Sequence, residues 1–207
     1  MECILREKIK VPQRKIMLAQ KKLTITPEQY LIQEREAEFK SEYVDGEIFA
    51  MSGASRKHNE ISSNIVINLG TQLFEKECSV YSSDMKVKAS KVDAYTYPDI
   101  VVSCDSQEFE DENTDVLLNP IVIIEILSDS TEAYDRGLKF SNYQLIDSLC
   151  EYLLVSQKIC SIEKFEKQKG NLWTYSKFAS MDDIVAIKSI ECELCVKDVY
   201  RRVNFNR

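Results

Sequence analysis

Two stretches decide the fold of this chain: Tyr97-Pro98-Asp99-Ile100-Val101-Val102 and, further along, Ile121-Val122-Ile123-Ile124-Glu125-Ile126-Leu127. Both runs are short, apolar and rich in β-branched residues, which is typical of buried strands. Each run also contains one acid, and an ionised carboxylate that is buried without a partner costs a large free energy. If the two strands lie side by side, the pattern indicates that a cation is the partner of Asp99 and Glu125.

The composition is that of an ordinary globular protein. The chain has 207 residues, of which 44% are hydrophobic and 29% charged, enough for one domain with a real core. The formal charge of −7 argues against coating of nucleic acid by bulk charge, although it leaves room for a local basic groove. No apolar stretch approaches the roughly 20 residues of a membrane-spanning helix, and the N-terminus lacks the apolar region of a secretory signal. We therefore expect a cytoplasmic protein.

The seven cysteines are an odd number and are scattered along the chain. This pattern favours reduced thiols in the cytoplasm over a disulfide framework. Cys192 and Cys195 form a C-x-x-C pair, but a structural zinc site needs two more ligands and the chain has one histidine. We expect ordinary reduced cysteines.

Residues 1–22 differ from the rest of the chain in their excess of basic side chains and their lack of apolar periodicity. The pattern predicts a disordered tail, or an extension ahead of a true start at Met17. The alternative is a basic arm that binds nucleic acid. Residues 23–207 are then the folded domain.

Helices and strands can be placed along that domain. Thr26-Pro27 predicts the start of a helix that runs to about Glu36, and Asp45-Gly46 predicts a hairpin turn within 42–51. The recurrence of Ile61, Ile65, Leu69 and Leu73 predicts a helix over 56–76. The later elements are strands over 79–88, 95–103, 120–127 and 151–156, a helix over about 131–145, a hairpin over 160–178, a short strand near 189–192 and a short helix near 196–201. This order fits an α/β (α+β) fold with a central mixed sheet flanked by helices.

The two strand acids also carry a chemical prediction. A hard cation such as Mg²⁺ uses one or two carboxylates, keeps several waters and takes other ligands from a phosphate. Such an ion lowers the pKa of a bound water and polarises a phosphoryl oxygen. Asp99 and Glu125 thus predict a Mg²⁺ or Mn²⁺ site for phosphodiester chemistry. The alternative is that Glu125 ends its strand and pairs with a basic side chain.

Five fragments in order resemble a known family. They are Glu42-Tyr-Val-Asp-Gly-Glu-Ile48, Ser83-Asp-Met85, Tyr97-Pro-Asp-Ile-Val-Val102, Asn119-Pro-x-x-x-x-Glu125-x-Leu-Ser-x-Ser-Thr131, and Asp135-Arg-Gly-x-Lys139-x-x-x-Tyr143. Together they resemble the Uma-two family of restriction-endonuclease-like proteins in the PD-(D/E)XK nuclease superfamily, over roughly residues 24–200. The resemblance implies a restriction-endonuclease-like core and a Mg²⁺-dependent endonuclease that acts on nucleic acid, with DNA the expected substrate. Analogy with enzymes that cut both strands favours a homodimer.

Residue by residue, Asp99 matches the aspartate of the superfamily's Pro-Asp, and Glu125 matches the acid of its (D/E)-x-K. Leu127 stands where that motif has lysine. Some members supply the lysine from the following helix, where Lys139 is the candidate because it shares a face with Asp135 and Tyr143. The alternative for Lys139 is an exposed i, i+4 pair with Asp135, worth a few tenths of a kcal/mol.

The resemblance also implies a further acidic metal ligand, since an acid from outside the two-strand motif often helps to hold metal in this superfamily. One candidate is Glu47, which lies on the same face of its predicted strand as apolar Phe49. The other is Asp84 on the neighbouring strand. His58 is either a general base or, as the commoner case, a cap or surface residue near a helix start. The replacement of the motif lysine by Leu127 favours a second hypothesis: a catalytically silent nuclease-fold protein that binds nucleic acid or a protein partner.

Overall fold

A six-stranded mixed sheet forms the centre of the molecule in the computed structural model, which describes residues 25–205. Its spatial order is β11-β10-β9-β8-β6-β3. The strands are β3 (Cys78–Ser82), β6 (Ile100–Cys104), β8 (Val122–Leu127), β9 (Glu151–Ser156), β10 (Ile162–Lys167) and β11 (Trp173–Phe178). Only the β8–β9 pair is parallel within this sheet. The strands β6 and β8 lie side by side, as predicted, with Ile100 opposite Ile124. The α/β (α+β) arrangement with a central mixed sheet is confirmed.

A second sheet packs beside the first and has the order β2-β1-β5-β4-β7. Its strands are β1 (Ser41–Val44), β2 (Glu47–Ala50), β4 (Lys86–Ala89), β5 (Ala94–Thr96) and β7 (Val116–Leu117). The predicted hairpin turn is confirmed, since Asp45 and Gly46 both adopt positive φ, of 48° and 83°, as a two-residue type I′ turn requires.

Two predicted strands are each divided between the sheets, which corrects their prediction as single elements. The run over 79–88 breaks at Ser83, whose φ is 38°, and becomes β3 and β4. The run over 95–103 breaks at 97–99 and becomes β5 and β6. Pro98 has no N–H to donate to a ladder, and Ser83 donates its backbone N–H to the carbonyl of Asp99. Asp99 therefore lies where the chain crosses from one sheet to the other.

The first two helices follow the predictions closely. Helix α1 (Pro27–Glu36) begins with Thr26, whose side chain accepts from the backbone N–H of Gln29. Helix α2 (Arg56–Leu73) buries the predicted stripe of Ile61, Ile65, Leu69 and Leu73 against one face of the central sheet. The opposite face, with Val101 and Ile123, packs against the second sheet and the helix that follows β8.

The helical segment after β8 is not the plain α-helix that was predicted. It consists of α3 (Glu132–Tyr134), a π-helical turn (Asp135–Lys139) and α4 (Phe140–Tyr143). The buried hydroxyl of Tyr152 donates to the carbonyl of Asp135 at 2.9 Å, at the start of the π turn. π-Helical turns are rare and are often found at functional sites. This one begins at Asp135 and ends at Lys139, two residues that the sequence predicted to share one face of the helix.

The C-terminal part adds a two-stranded sheet of β12 (Ile184–Ile187) and β13 (Cys192–Cys195), a 3₁₀ turn (Lys188–Ile190) and helix α5 (Val196–Val199). The sequence predicted a strand near 189–192 and missed β12. The hairpin of β10 and β11 is confirmed, with Gly170 at φ 73° in its turn. No helix within residues 25–205 is both long and apolar enough to cross a membrane. The predicted tail of residues 1–22 lies outside the described residues.

One prediction about the cysteines is wrong. Cys78 of edge strand β3 and Cys104 of β6 are direct cross-strand neighbours and form a disulfide. The pairing joins strands that the sequence could not show to be adjacent, because β3 and β6 are separated by two strands of the other sheet. Cys192 and Cys195, by contrast, are both free thiols at the two ends of β13.

Arg35 ties the end of α1 to the loop before β7 and gives the first testable prediction. Its guanidinium contacts Asp111 and Asp115, each at 2.8 Å. The Arg35 hydrogen bond, with help from Lys86, lowers the pKa of Asp115 to about 2. A carboxylate with a lowered folded-state pKa stabilises the protein above its ordinary pKa and loses that contribution as the pH falls toward the folded value. We therefore expect Arg35→Ala to lower the free energy of unfolding by about 1–2 kcal/mol at pH 6, after allowing for solvent screening.

The difference between the Arg35→Ala variant and the parent protein should shrink as the pH falls from about 4 toward 2, and urea denaturation at several pH values measures it. A difference that stays constant over this range would show that Arg35 acts through packing and not through Asp115.

Candidate active site

Asp99 lies immediately before β6, where the chain crosses from the second sheet to the central sheet. One carboxylate oxygen, Oδ2, accepts the backbone N–H of Ile126 at 2.7 Å. The other, Oδ1, lies 3.0 Å from Nε2 of His58 in the first turn of α2. The side chain of Asp99 keeps 19% of its surface exposed, so this carboxylate is fixed by two contacts and still meets solvent.

Glu125 lies on β8 beside Asp99 and is almost wholly buried. Its Oε2 accepts the backbone N–H of Asp99 at 3.2 Å, and its Oε1 accepts the hydroxyl of Tyr143 at 3.1 Å. The same Oε1 lies 3.0 Å from Nζ of Lys139. Burial raises the pKa of Glu125 well above its ordinary value; Lys139 opposes this shift, whereas the neighbouring acids add to it. Ile123, two residues earlier on β8, lies in the buried cluster between the central sheet and the second sheet.

Lys139, the last residue of the π turn, is buried among carboxylates. Its Nζ lies 3.0 Å from Oε1 of both Glu125 and Glu42, and 3.8 Å from Oδ1 of Asp135. Burial alone would lower the pKa of Lys139, but the three acids outweigh it and hold the pKa well above the ordinary value. The ammonium group is therefore charged, and the alternative of an exposed surface pair with Asp135 is wrong.

Glu42 is a site residue that the sequence reasoning missed. It lies on β1, is 5% exposed, and accepts the backbone N–H of Tyr97 at 2.9 Å besides contacting Lys139. Simple alternation did not find it, because both Glu42 and its neighbour Tyr43 are buried in a strand that is paired on both sides. Glu42 could have been identified as a candidate because it is the first residue of the first family-like fragment.

The structure does not bring Asp84 into contact with Asp99 or Glu125, and the role of Glu47 as a ligand stays a prediction. Asp84 has 83% of its side chain exposed and pairs with Lys40 at 2.7 Å. Glu47 lies on β2 opposite Val44, at the turn end of the hairpin, whereas Glu42 lies nearer the other end. His58 is not the helix cap either, since Ser55 takes that place by accepting the backbone N–H of His58.

The charges of this cluster do not balance. Four carboxylates surround or adjoin a single buried ammonium group; they belong to Glu42, Asp99, Glu125 and Asp135. Burial, and after it the charges of the neighbouring acids, raises the pKa of Asp135 as well as that of Glu125, with Lys139 opposing. Such an excess of buried negative charge is stabilised by a further cation.

The donors present suit a hard divalent ion in their chemistry. Mg²⁺ needs only one or two carboxylates and keeps several waters, and Asp99 and Glu125 supply that pair. Within residues 25–205 no three His, Cys, Asp or Glu side chains form a ready-made metal site. Both oxygens of Glu125 already have partners, which are Lys139 and Tyr143 on Oε1 and the backbone amide of Asp99 on Oε2. The pair fits a metal that is completed by water and substrate.

Tyr143 links this cluster to the second sheet and gives a prediction of its own. Its hydroxyl contacts Glu125 at 3.1 Å and Thr96 at 2.9 Å, and its ring is 1% exposed. Tyr143→Phe leaves both partners short of a hydrogen bond in a buried setting, which typically costs about 1–3 kcal/mol. Urea denaturation should show this loss, whereas Tyr175→Phe on the exposed strand β11 should leave the midpoint unchanged. Equal midpoints for both variants would mean that the Tyr143 hydroxyl contributes nothing to the fold.

Comparison with known proteins gives the same family as the sequence fragments. A family model for Uma2, described as "Putative restriction endonuclease", matches residues 27–195. The "uncharacterized protein slr1290" of Synechocystis sp. is 35% identical over 181 residues, which cover 87% of this chain and 94% of that protein. The "uncharacterized protein sll1609" of the same organism is 33% identical over 149 residues, or 72% of this chain and 84% of that protein.

A solved structure shares the fold. The crystal structure of "a putative nuclease belonging to DUF820" from Anabaena variabilis superimposes with a TM-score of 0.71. The match covers 85% of this chain and 97% of the other, at 22% sequence identity. At that identity the likeness is one of fold, and it agrees with the restriction-endonuclease-like core that the sequence fragments imply.

Proposed function

This chain belongs to the Uma2 family, and from that premise we propose that it is a metal-dependent endonuclease that hydrolyses phosphodiester bonds of nucleic acid, with DNA as the expected substrate. One observation carries the proposal. Three residues from different elements meet at Glu125, which lies in the interior of β8. Its carboxylate accepts the backbone N–H of Asp99, at the start of β6, and contacts the ammonium group of Lys139, at the end of the π turn. Burial of so much charge costs free energy, and a carboxylate whose pKa is strongly raised beside a buried cation is a candidate for a functional site.

The chemical roles follow from exposure and charge. Asp99 is the most exposed of the three side chains and would hold the metal together with Glu125. When bound, the divalent ion supplies a water of lowered pKa and polarises a phosphoryl oxygen. In the hydrolysis a water oxygen bonds to phosphorus, the ester P–O bond breaks, and the leaving oxygen takes up a proton.

Lys139 has two tasks in this scheme. Its charge favours the ionised form of Glu125 that a metal ligand must have, since Lys139 opposes the rise in the pKa of Glu125 that burial causes. Its ammonium group can also orient the attacking water or meet the negative charge that develops on phosphorus. Lys139 thereby takes the place of the motif lysine, whose position holds Leu127, a buried residue of the core.

A binding module without catalysis is the second candidate. It is favoured by the same contacts that complicate metal binding, because Lys139 and Tyr143 already occupy one oxygen of Glu125. In that case the protein would bind nucleic acid or a protein partner through the nuclease fold. A cytoplasmic location and a homodimer remain predictions under either function.

Cleavage of supercoiled plasmid with Mg²⁺ or Mn²⁺, beside calorimetric titration of the same ions, separates the two candidates. We expect metal binding together with metal-dependent nicking that EDTA abolishes. Nucleic-acid binding without nicking under any divalent ion would favour the binding module.

A further inference from the structure

The strand β11 forms an open edge of the central sheet. It follows β10 in a hairpin, and within residues 25–205 no strand pairs with its outer side. An edge strand offers its free N–H and C=O groups to any strand that approaches, and proteins usually protect such edges with prolines, charges or bulges. The strand β11 contains no proline, and its one charged residue, Lys177, lies opposite Glu163 of β10. This edge is therefore poorly protected against pairing.

The register of the hairpin shows which backbone groups of β11 point away from the sheet. Lys167 of β10 donates its backbone N–H to the carbonyl of Cys150, on the side of β9. Its partner across the hairpin, Trp173, therefore belongs to a pair without ladder hydrogen bonds. Because such pairs alternate with hydrogen-bonded pairs in an antiparallel ladder, the same holds for Tyr175 and Lys177. The backbone N–H and C=O groups of these three β11 residues thus point to the open edge.

A row of aromatic rings crosses the sheet and ends at this edge. The row consists of Tyr152 on β9, Phe140 on α4, Phe165 on β10 and Tyr175 on β11. Successive ring centroids lie 4.9, 4.5 and 5.3 Å apart. The last ring, that of Tyr175, is 53% exposed. Since aromatic pairs stabilise a contact beyond the area that they bury, the open side of Tyr175 suits a further aromatic ring.

We propose that β11 pairs antiparallel with β11 of a second copy of this chain, with Tyr175 opposite Tyr175 of the partner subunit. The two-fold axis is perpendicular to the sheet, so the contact is isologous and joins two central sheets into one. Trp173 then lies opposite Lys177 of the partner subunit, where an ammonium group can contact the indole face. Thr174 lies opposite Ser176 of the partner subunit, and such hydroxyl pairs hydrogen-bond across strands. No like charges meet in this register, which is why a second copy is the occupant that fits this edge.

The pairing does not depend on the proposed function. It places the π turns of both copies on the same face of the joined sheet, because an axis perpendicular to a sheet does not exchange its faces. A rival apolar surface lies on α2, where Ile67 is 59% and Phe74 82% exposed. The interior of a helix satisfies its own backbone groups, so that surface lacks the free N–H and C=O groups of β11, and it supplies a control.

Position 175 lies opposite itself in this register, which gives a direct test on the full chain. Tyr175→Lys and Tyr175→Glu each bring like charges face to face, which destabilises a strand pair. Each variant alone should weaken self-association about tenfold or more, measured by sedimentation velocity over a range of protein concentrations. An equimolar mixture of the two variants should recover dimers, because opposite charges then meet.

Controls separate the interface from the fold. Ile67→Lys should dimerise as the wild type does, and circular dichroism should show the same secondary structure in every variant. A wild type that stays monomeric overturns the proposal, and so does a mixture of the two charged variants that does not associate. Dimers of Tyr175→Glu alone overturn the register, since position 175 would then face Lys177, and loss of the dimer in Ile67→Lys overturns the choice of β11 in favour of α2.

Discussion

Asp99→Asn is expected to abolish divalent-metal binding and plasmid cleavage while the fold is preserved. The amide oxygen of asparagine can still accept the backbone N–H of Ile126, so the bond that fixes the start of β6 survives. What disappears is the negative charge that a hard cation requires. Without metal the variant should melt at the same temperature or higher, because the charge of Asp99 is one cause of the raised pKa of buried Glu125 and like charges repel.

Calorimetric titration with Mn²⁺, thermal melting without metal and a single-turnover cleavage assay measure the three parts of this expectation. The exposed-acid variant Asp147→Asn, which should behave as the wild type, shows that loss of one negative charge is not sufficient. If Asp99→Asn unfolds the protein and metal does not affect the wild type, then Asp99 is a structural ion-pair partner of His58 and the nuclease proposal fails.

Local patterns in the sequence were enough to place most of the elements. The apolar run of β8 and the four-residue spacing in α2 identify their elements because a strand or helix that packs on one core must show the corresponding period. The divided strands could not be foreseen in the same way. The run over 79–88 has continuous strand character, and nothing in it indicates the break at Ser83. In the run over 95–103, Pro98 is a local sign of a break, but no local pattern shows that the two halves join different sheets.

The site was predictable where its residues lie in sequence-local motifs. Asp99 and Glu125 stood out as acids in apolar strands, and Lys139 stood out by its helical spacing from Asp135 and Tyr143. Glu42 reaches the cluster from β1 in the other sheet, and His58 reaches it from the start of α2. No local pattern encodes those approaches, which depend on how the two sheets and α2 pack.

Lys139→Ala should have the largest combined effect, on both stability and rate. Removal of the ammonium group leaves Glu42, Glu125 and Asp135 buried without their shared cation. Breaking a buried ion pair from one side typically costs about 3–5 kcal/mol, and urea denaturation should show a loss on that scale. The cleavage rate should fall by roughly two to three orders of magnitude, the effect of removing one electrostatic stabiliser. Lys139→Arg should recover only part of the rate, since the planar fork differs in reach and geometry.

Because both effects come from the same charge, a loss of activity in Lys139→Ala does not by itself assign a catalytic role. The double variant Lys139→Met/Glu42→Gln separates them. Methionine at position 139 keeps much of the packing volume of the lysine stem. Glutamine at position 42 removes a carboxylate that has lost its partner, and its amide oxygen can still accept the backbone N–H of Tyr97. The double variant should therefore unfold at a higher urea concentration than Lys139→Met alone.

Its cleavage rate decides the role of the lysine. If Lys139 orients the water or meets the charge of the transition state, the double variant regains stability and stays as slow as Lys139→Met, because no cation has returned to the site. If cleavage returns together with stability, the lysine serves only to neutralise Glu42 and Glu125. Catalysis would then depend on the metal held by Asp99 and Glu125. Lys139 would only balance charge, in place of the lysine that the motif has at the position of Leu127.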